Sequence, residues 1–287
     1  MPEAVSPGEG NLVLIAGAGR LPELVADSLD RASKPFRMIA LRGFTGRPLR
    51  GRADATVDLL DLAATLALLK EWGPAVVVPA GSVARPSAAA IFNAGAAWRN
   101  RDTLREIAGG GDDRLLRAAL SLVEENGHRV LGVHEAAPDL LCPEGPLGVV
   151  KADGEAQASI ATGQSVLKAL SPFDVGQAVA VAGDRVLAVE GPEGTDKMLA
   201  RARALGRKPF GRGRPNAGTV LVKAPKAGQD LRIDLPAVGP RTIRNAHAAG
   251  CAGLALRAGG TLVIDRAATA AEADRLGLFV IGLGDPA

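Results

Sequence analysis

The sequence predicts a two-part α/β chain. Strands alternating with helices point to a Rossmann-like N-terminal domain over residues 1–136, and hairpins mixed with helices point to a mixed α/β (α+β) domain over 137–287. Three observations carry this reading. A short apolar run closed by glycines precedes a helical pattern at the start. Apolar runs recur between helical patterns until about residue 133. The texture then changes near Ala136, where PDLLCPEGPLG is Pro/Gly-rich and unpatterned, the character of an interdomain link. With 287 residues, 47% hydrophobic and 23% charged, the chain is long enough for about two domains with cores of their own.

Taken in order, NLVLIA (11–16) is a strand closed by Gly17-Ala18-Gly19, and LPELVADSLDRA after it places Leu21, Leu24, Val25 and Leu29 on one helical face. FRMIAL (36–41) and ATVDL (55–59) are strands, LAATLALLKEW (62–72) is a helix, and AVVVPAG (75–81) is a buried strand with a glycine exit. DDRLLRAALSLVEENG (112–127) has an acidic helix start and a glycine stop, and the strand HRVLGV (128–133) follows. In the second half a helix near 154–170 leads to AVAVAGDRVLAVEG, two apolar runs around Gly183-Asp184 that read as a hairpin. TDKMLARARAL is helical, RKPFGRGRPNAG is a basic glycine-rich loop, and TVLVKA and QDLRIDL are strands. A helix at 241–249, strands LALR and TLVID, the helix ATAAEADRLG and the strand LFVIGL close the chain.

Several function classes are disfavoured. Lys plus Arg exceed Asp plus Glu only by 34 to 31, with no long basic run or aromatic-interleaved patch, so nucleic acid is not an expected partner. Cys142 and Cys251 stand far apart and outside metal spacing, as buried thiols of a reducing compartment do. MPEAVSPGEG is not the basic-then-apolar start of a signal peptide, and no apolar stretch has membrane-spanning length, so the expected location is cytoplasmic. The chain has no G-x-x-x-x-G-K-[ST], H-E-x-x-H or G-x-S-x-G motif. His128, His134 and His247 are scattered and tyrosine is absent, which leaves acid and base chemistry mainly to carboxylates.

GAGRLP (17–22) brings backbone amides and a helix start toward a possible phosphate at Gly19, Arg20 and Leu21; the alternative is a tight strand-to-helix corner. Pro22 replaces the third fingerprint glycine and no ribose-binding acid ends the second strand, which disfavours an NAD-linked oxidoreductase. AGSVARP offers Gly81 and Arg85 for a phosphate or carboxylate, or a solvated arginine before a helix. In GGGDD, Asp112 and Asp113 are a helix cap, a metal pair or a sugar contact. DVGQAVAVAGDRVLAVEGPEGTDKM carries Gln177, Gly194 and Thr195 beside Glu190, Glu193 and Asp196, acids that suit either a helix N-terminus or Mg²⁺.

The segment KAPKAGQDLRIDLPAVGPRTI places Asp230, Arg232 and Asp234 two apart, with Leu231, Ile233 and Leu235 between them. On a strand the charges share one face and the apolar residues the other. Such a face is either a salt-paired surface or, with Lys223, Lys226 and Gln229 before it and Thr242 at a helix start after it, a place for phosphoryl hydrolysis.

In order along the chain, LIAGAGRLPELVA, AGSVARPS, GDDRLLRA, DVGQAVAVAGDRVLAVEGPEGTDKMLAR, LVKAPKAGQDLRIDLPAVGPRTI, AGCAGLALRAGGTLVIDR and GLFVIGL resemble the LpxI family of UDP-2,3-diacylglucosamine pyrophosphatases of lipid A biosynthesis. The resemblance implies two domains with substrate between them. It also implies Mg²⁺-dependent hydrolysis of UDP-2,3-diacylglucosamine to UMP and 2,3-diacylglucosamine 1-phosphate (lipid X), with water attacking the β-phosphorus. It carries the essential acid to Asp234 first and Asp230 second, as water activator or metal ligand. It makes Lys223, Lys226, Gln229, Arg232 and Thr242 phosphate contacts, and Glu190, Glu193, Thr195 and Asp196 metal or sugar contacts. Gly17-Ala18-Gly19 stands where the family commonly has three glycines, and Ala237 stands where it has a threonine. A lipid substrate further implies peripheral contact with the inner leaflet, for which Arg207, Lys208, Arg212 and Arg214 are placed in the basic loop, and a homodimer is compatible with the resemblance. A non-catalytic nucleotide-lipid binding protein is the alternative from another class.

Overall fold

The structure, a computed structural model, describes residues 11–83, 112–173, 175–206, 218–226 and 228–284, with backbone alone at 112–115. Two compact units divide the chain. One comprises Met1–Pro138 with Arg232–Asp234, and the other Asp139–Leu231 with Leu235–Ala287.

The first unit contains β1 (Asn11–Ala16), α1 (Leu21–Arg31), β2 (Phe36–Leu41), α2 (Arg47–Arg50), β3 (Ala55–Val57), α3 (Leu62–Trp72), β4 (Ala75–Ala80), α4 (Asp112–Glu125), β5 (Arg129–Val130) and α5 (Val133–Ala136). Among the described residues its five strands form one sheet in the order β3-β2-β1-β4-β5, parallel at every pairing. That explains the continuous apolar runs: strands covered on both faces have no solvent side, and Val13, Leu14, Val77 and Val78 are fully buried. Asp61 caps α3 by accepting the Ala64 N–H at 2.9 Å, which fixes where that helix starts. The predicted strand HRVLGV is shorter than expected. It ends at Val130 because Gly132 opens α5, whose Glu135 side chain reaches back to accept the Gly132 N–H at 2.9 Å.

The second unit contains β6 (Gly145–Pro146), α6 (Gly154–Leu170), β7 (Ala178–Ala182), β8 (Arg185–Val189), α7 (Thr195–Gly206), β9 (Thr219–Lys223), β10 (Ala237–Val238), α8 (Pro240–Ala248), β11 (Cys251–Arg257), β12 (Leu262–Val263), α9 (Arg266–Leu276) and β13 (Phe279–Leu283). Six strands form a mixed sheet in the order β6-β13-β11-β9-β7-β8, and β10 pairs separately with β12. The period of two sorts the side chains into two cores. Ala178, Ala180, Leu221, Leu254, Leu256 and Val280 pack with Met198, Leu199, Ile243, Ala246 and Ala273 from α7, α8 and α9. Val179, Val181, Val220, Val222, Ala255 and Phe279 pack with Ala156 and Ile160 of α6. Gly163 lets α6 lie against this face, since a Cβ there would meet Val222 Cγ2 at 2.4 Å. The hairpin predicted around Gly183 is β7–β8, with Gly183 at φ +63.

QDLRIDL does not form the expected strand. Leu231–Ile233 is a turn, and residues 229–235 are all half-buried instead of alternating between buried and exposed. The pattern has another cause: Ile233 packs on the core of the first unit, with which Arg232–Asp234 are grouped, while Leu231 and Leu235 belong to the second.

Candidate active site

Within the first unit the two glycine loops that end β1 and β4 are joined. Gly17 N–H donates to Ala80 O at 2.8 Å, Ala18 N–H to Ser82 O at 2.7 Å, and Ser82 N–H to Ala18 O at 3.0 Å. GAGRLP and the start of AGSVARP therefore meet at the point where the strand order reverses, which brings Gly19, Arg20 and Leu21 into one locality with Gly81. The use of glycine differs from a phosphate cradle at Gly17, whose amide is already spent and whose absent Cβ would lie 2.8 Å from Ser82 O. Gly19 and Gly81 take φ values of +91 and +92, which only glycine adopts readily. Arg20, the residue before α1, pairs with Glu23 in the first turn. Arg85 lies outside the described residues, and Asp112 and Asp113 begin α4.

The second unit assembles a chain of polar groups at one end of its sheet. β7 and β8 are antiparallel, as are β7 and β9, so the start of β7 meets the ends of β8 and β9: Ala178 pairs with Lys223 and Val179 with Val189. Gln177, Glu190 and Lys223 consequently converge, all buried. Lys223 Nζ donates to Thr195 Oγ1 at 2.7 Å, and that hydroxyl donates to Glu190 Oε1 at 2.7 Å. Glu190 Oε2 accepts the Gln177 N–H at 3.1 Å. This supplies the reason Glu190 ends an apolar strand: it is a buried carboxylate with a donor on each oxygen and an ammonium one hydroxyl away. Gly176 permits the approach, because a Cβ there would meet Glu190 O at 2.4 Å.

The neighbouring acids have separate partners. Glu193 Oε1 accepts from Arg201 at 2.5 Å; its own backbone N–H first, and then Arg201, hold its carboxyl below the ordinary carboxylate range. Asp196 accepts from Asn245 Nδ2 at 2.7 Å and lies 2.9 Å from Arg241, tying the start of α7 to α8. Among the described residues no group of three or more His, Cys, Asp or Glu is placed to hold a metal ion. As placed, Glu190, Glu193 and Asp196 do not fit a Mg²⁺ cage, because Mg²⁺ demands near-octahedral oxygen ligands and these carboxylates answer to protein cations and amides instead. Gly194 takes φ +81 just before α7. Lys226 and Gln229 bond each other, the Lys226 N–H donating to Gln229 Oε1 at 3.1 Å. Thr242 stands in the first turn of α8, its Oγ1 accepting the Gly239 N–H at 3.4 Å. Asp230 is half-buried in the second unit and Asp234 half-buried in the first.

Two family models cover the chain: the LpxI N-terminal domain matches residues 11–140 and the LpxI C-terminal domain residues 143–281. The chain belongs to the LpxI family. The UDP-2,3-diacylglucosamine pyrophosphatase LpxI of Caulobacter vibrioides is 39% identical over 275 residues, 96% of this chain and 98% of that protein.

For this LpxI-family chain, two residues beside the acid-bearing segment escaped the sequence reading. Glu124 on α4 accepts from Arg232 at 2.6 Å, although 108 positions separate them. Gly132 lies against the same segment, its absent Cβ 3.1 Å from the Arg232 Cα and 2.4 Å from the His134 ring. Nothing in local periodicity marks such pairings. Acids in the last turn of a helix, where the dipole disfavours them, are the one local oddity there, and it is shared by Glu124 and Glu125.

Proposed function

We propose that this chain hydrolyses the diphosphate of UDP-2,3-diacylglucosamine, releasing UMP and 2,3-diacylglucosamine 1-phosphate (lipid X), in lipid A biosynthesis. The observation that carries the reading is the nearly end-to-end match to the Caulobacter pyrophosphatase. Water attacks the β-phosphorus, the bond from that phosphorus to the bridging oxygen breaks, and UMP departs with the oxygen. Asp234 is the catalytic residue that takes the proton from water, with Asp230 as the second acid. Lys223 is suited to a phosphate: buried, charged and oriented by Thr195, it presents a fixed cation that needs little reorganisation when negative charge develops.

We read the first unit as Rossmann-like, with its nucleotide-facing groups at Gly19, Arg20, Leu21 and Gly81. Asp234 or Asp230, with waters and phosphate oxygens, would hold a Mg²⁺ ion, which would neutralise phosphate charge. Among the described residues no helix is long and apolar enough to cross a membrane. Access to a lipid substrate at the inner leaflet is assigned to Arg207, Lys208, Arg212 and Arg214, which lie outside the described residues; each basic residue near an anionic surface contributes about 1 kcal/mol.

The test is release of UMP from UDP-2,3-diacylglucosamine with Mg²⁺, run in ¹⁸O-water, for the wild type and Asp234→Asn. The expected result is label in the lipid X phosphate and a loss of about 10² to 10⁴ in rate for the variant. A wild type that binds substrate and releases no UMP is the non-catalytic binding protein, and an unimpaired variant removes Asp234 from the chemistry.

A further inference from the structure

The acid-bearing segment is not held by sheet pairing. Leu231–Ile233 is a turn, so besides Asp234's own interactions and the Pro236 carbonyl, which accepts the Leu262 N–H at 2.8 Å, the direction of Asp234 depends on what fastens the residues just before it. Two anchors do so within the first unit. Ile233 packs on the core that contains Val13, Val77, Leu120 and Val123. Arg232 donates to Glu124 Oε1 at 2.6 Å, and the close approach of its Cα to Gly132 fixes the backbone at the same point. Glu124 occupies an odd place for an acid. It stands in the last turn of α4, which has no basic residue to offset the negative end of the helix dipole. The carboxylate does nothing for its own helix there, whereas it gives Arg232 a fixed partner.

We propose that Glu124 is a positioning residue for Asp234, acting through Arg232: the pair, with Ile233, clamps the turn so that the Asp234 carboxylate is held in the direction its reaction requires. This rests on the reading of Asp234 as the group that takes the proton from water. It also changes the expected part of Arg232, from a phosphate contact to the arm of a clamp. Both side chains are partly exposed, at 31% for Arg232 and 40% for Glu124, and an ion pair in such a setting adds little to folding stability. Misplacing a reacting group by about 1 Å, in contrast, costs about a hundredfold in rate. The clamp therefore acts on turnover more than on stability.

The experiment measures kcat and KM for UMP release with Glu124→Gln, with Asp234→Asn, with the exchanged pair Glu124→Arg/Arg232→Glu, and with Glu125→Gln as a control at the adjacent exposed acid. Glu124→Gln is expected to lower kcat by about 10- to 100-fold with KM within about threefold and an unmoved thermal midpoint. The exchanged pair is expected to recover most of that loss, and Glu125→Gln to match wild type. A Glu124→Gln enzyme with wild-type kcat overturns the proposal. So does an effect confined to KM, which is what a phosphate-binding Arg232 released from Glu124 would produce, and so does an exchanged pair no better than the single variant. If Asp234→Asn keeps full activity, the base assignment itself fails and the clamp falls with it. An inactive Asp234→Asn beside an unimpaired Glu124→Gln sinks the clamp alone.

Discussion

Replacing Glu190 by Gln tests whether the buried polar chain of the second unit is held by charge or merely by hydrogen bonds. The geometry sets the magnitude. Lys223 Nζ and Glu190 Oε1 each lie 2.7 Å from the Thr195 hydroxyl oxygen. With near-tetrahedral angles at that oxygen the two charges are about 4.5 Å apart, an attraction of about 3 to 4 kcal/mol at an effective dielectric of about 20. The residues are 7% and 8% exposed, so salt screens this little. The Gln oxygen can still accept from Thr195, but its NH₂ then faces the Gln177 N–H, so one hydrogen bond is lost with the charge and only the coupling to Lys223 isolates the charge.

The measurement is a double-mutant cycle with Glu190→Gln and Lys223→Met, in which whatever else either residue touches cancels. A coupling of about 2 to 4 kcal/mol is expected, with the neutral double variant more stable than the sum of the single losses allows. Calorimetry is the required probe, because Trp72 and Trp98 both fall in the first half of the sequence and fluorescence would not follow the second unit. At about 2 to 4 °C per kcal/mol for a unit near 150 residues, a single-variant loss of about 2 to 4 kcal/mol should lower that unit's transition by roughly 4 to 16 °C. A coupling below about 0.5 kcal/mol would refute the reasoning, since charges that close in a dry site cannot be indifferent to one another.

Two further outcomes follow from single residues. Arg275 first, and Arg244 with it, hold the Glu272 carboxyl down to about 2 from an ordinary 4.5. A depressed carboxylate contributes stability that is complete above the ordinary value and lost as pH falls through the folded one. Urea midpoints of wild type and Glu272→Gln should thus differ above pH 4.5 and converge toward pH 2, and a constant gap across that window would contradict the assignment. Gly17→Ala should cost about 1 to 3 kcal/mol in the first unit, because its Cβ meets backbone atoms Ser82 O at 2.8 Å and Ala80 O at 3.3 Å, which cannot swing aside. A thermal midpoint equal to wild type would show that the two loops separate at little cost.

How much of this was legible depends on how far along the chain each determinant reaches. The limits of β1, α1 and α3 were readable because apolar period, glycine stops and the Asp61 cap are all local signals. The hairpin β7–β8 was readable from Gly183 for the same reason. Glu190 was readable only as an anomaly, an acid ending an apolar strand. Its resolution lay in Lys223 from β9 and the Gln177 amide, partners that only the antiparallel register brings near. A cluster of acids in sequence therefore suited either a helix N-terminus or Mg²⁺, and the structure gives each of those acids its own set of donors.

The alternation in QDLRIDLP shows why period alone misled. A half-exposed strand alternates because one sheet face is wet and the other dry, and that expectation requires one core. Here the apolar residues do not share one core: Ile233 packs on the first unit's core, while Leu231 and Leu235 are grouped with the second unit. An irregular segment with one apolar residue anchored in a core can have the same sequence pattern as a strand, yet it has no ladder to hold it. Such a segment needs side-chain anchors, and these are found at Arg232 with Glu124 and at Ile233. The charges were expected to be a face; two of them have distinct proposed work, Arg232, paired with Glu124, in fastening the turn and Asp234 in the chemistry. An alternating segment with no sheet partner should accordingly be searched for long-range anchors before its charges are assigned to substrate.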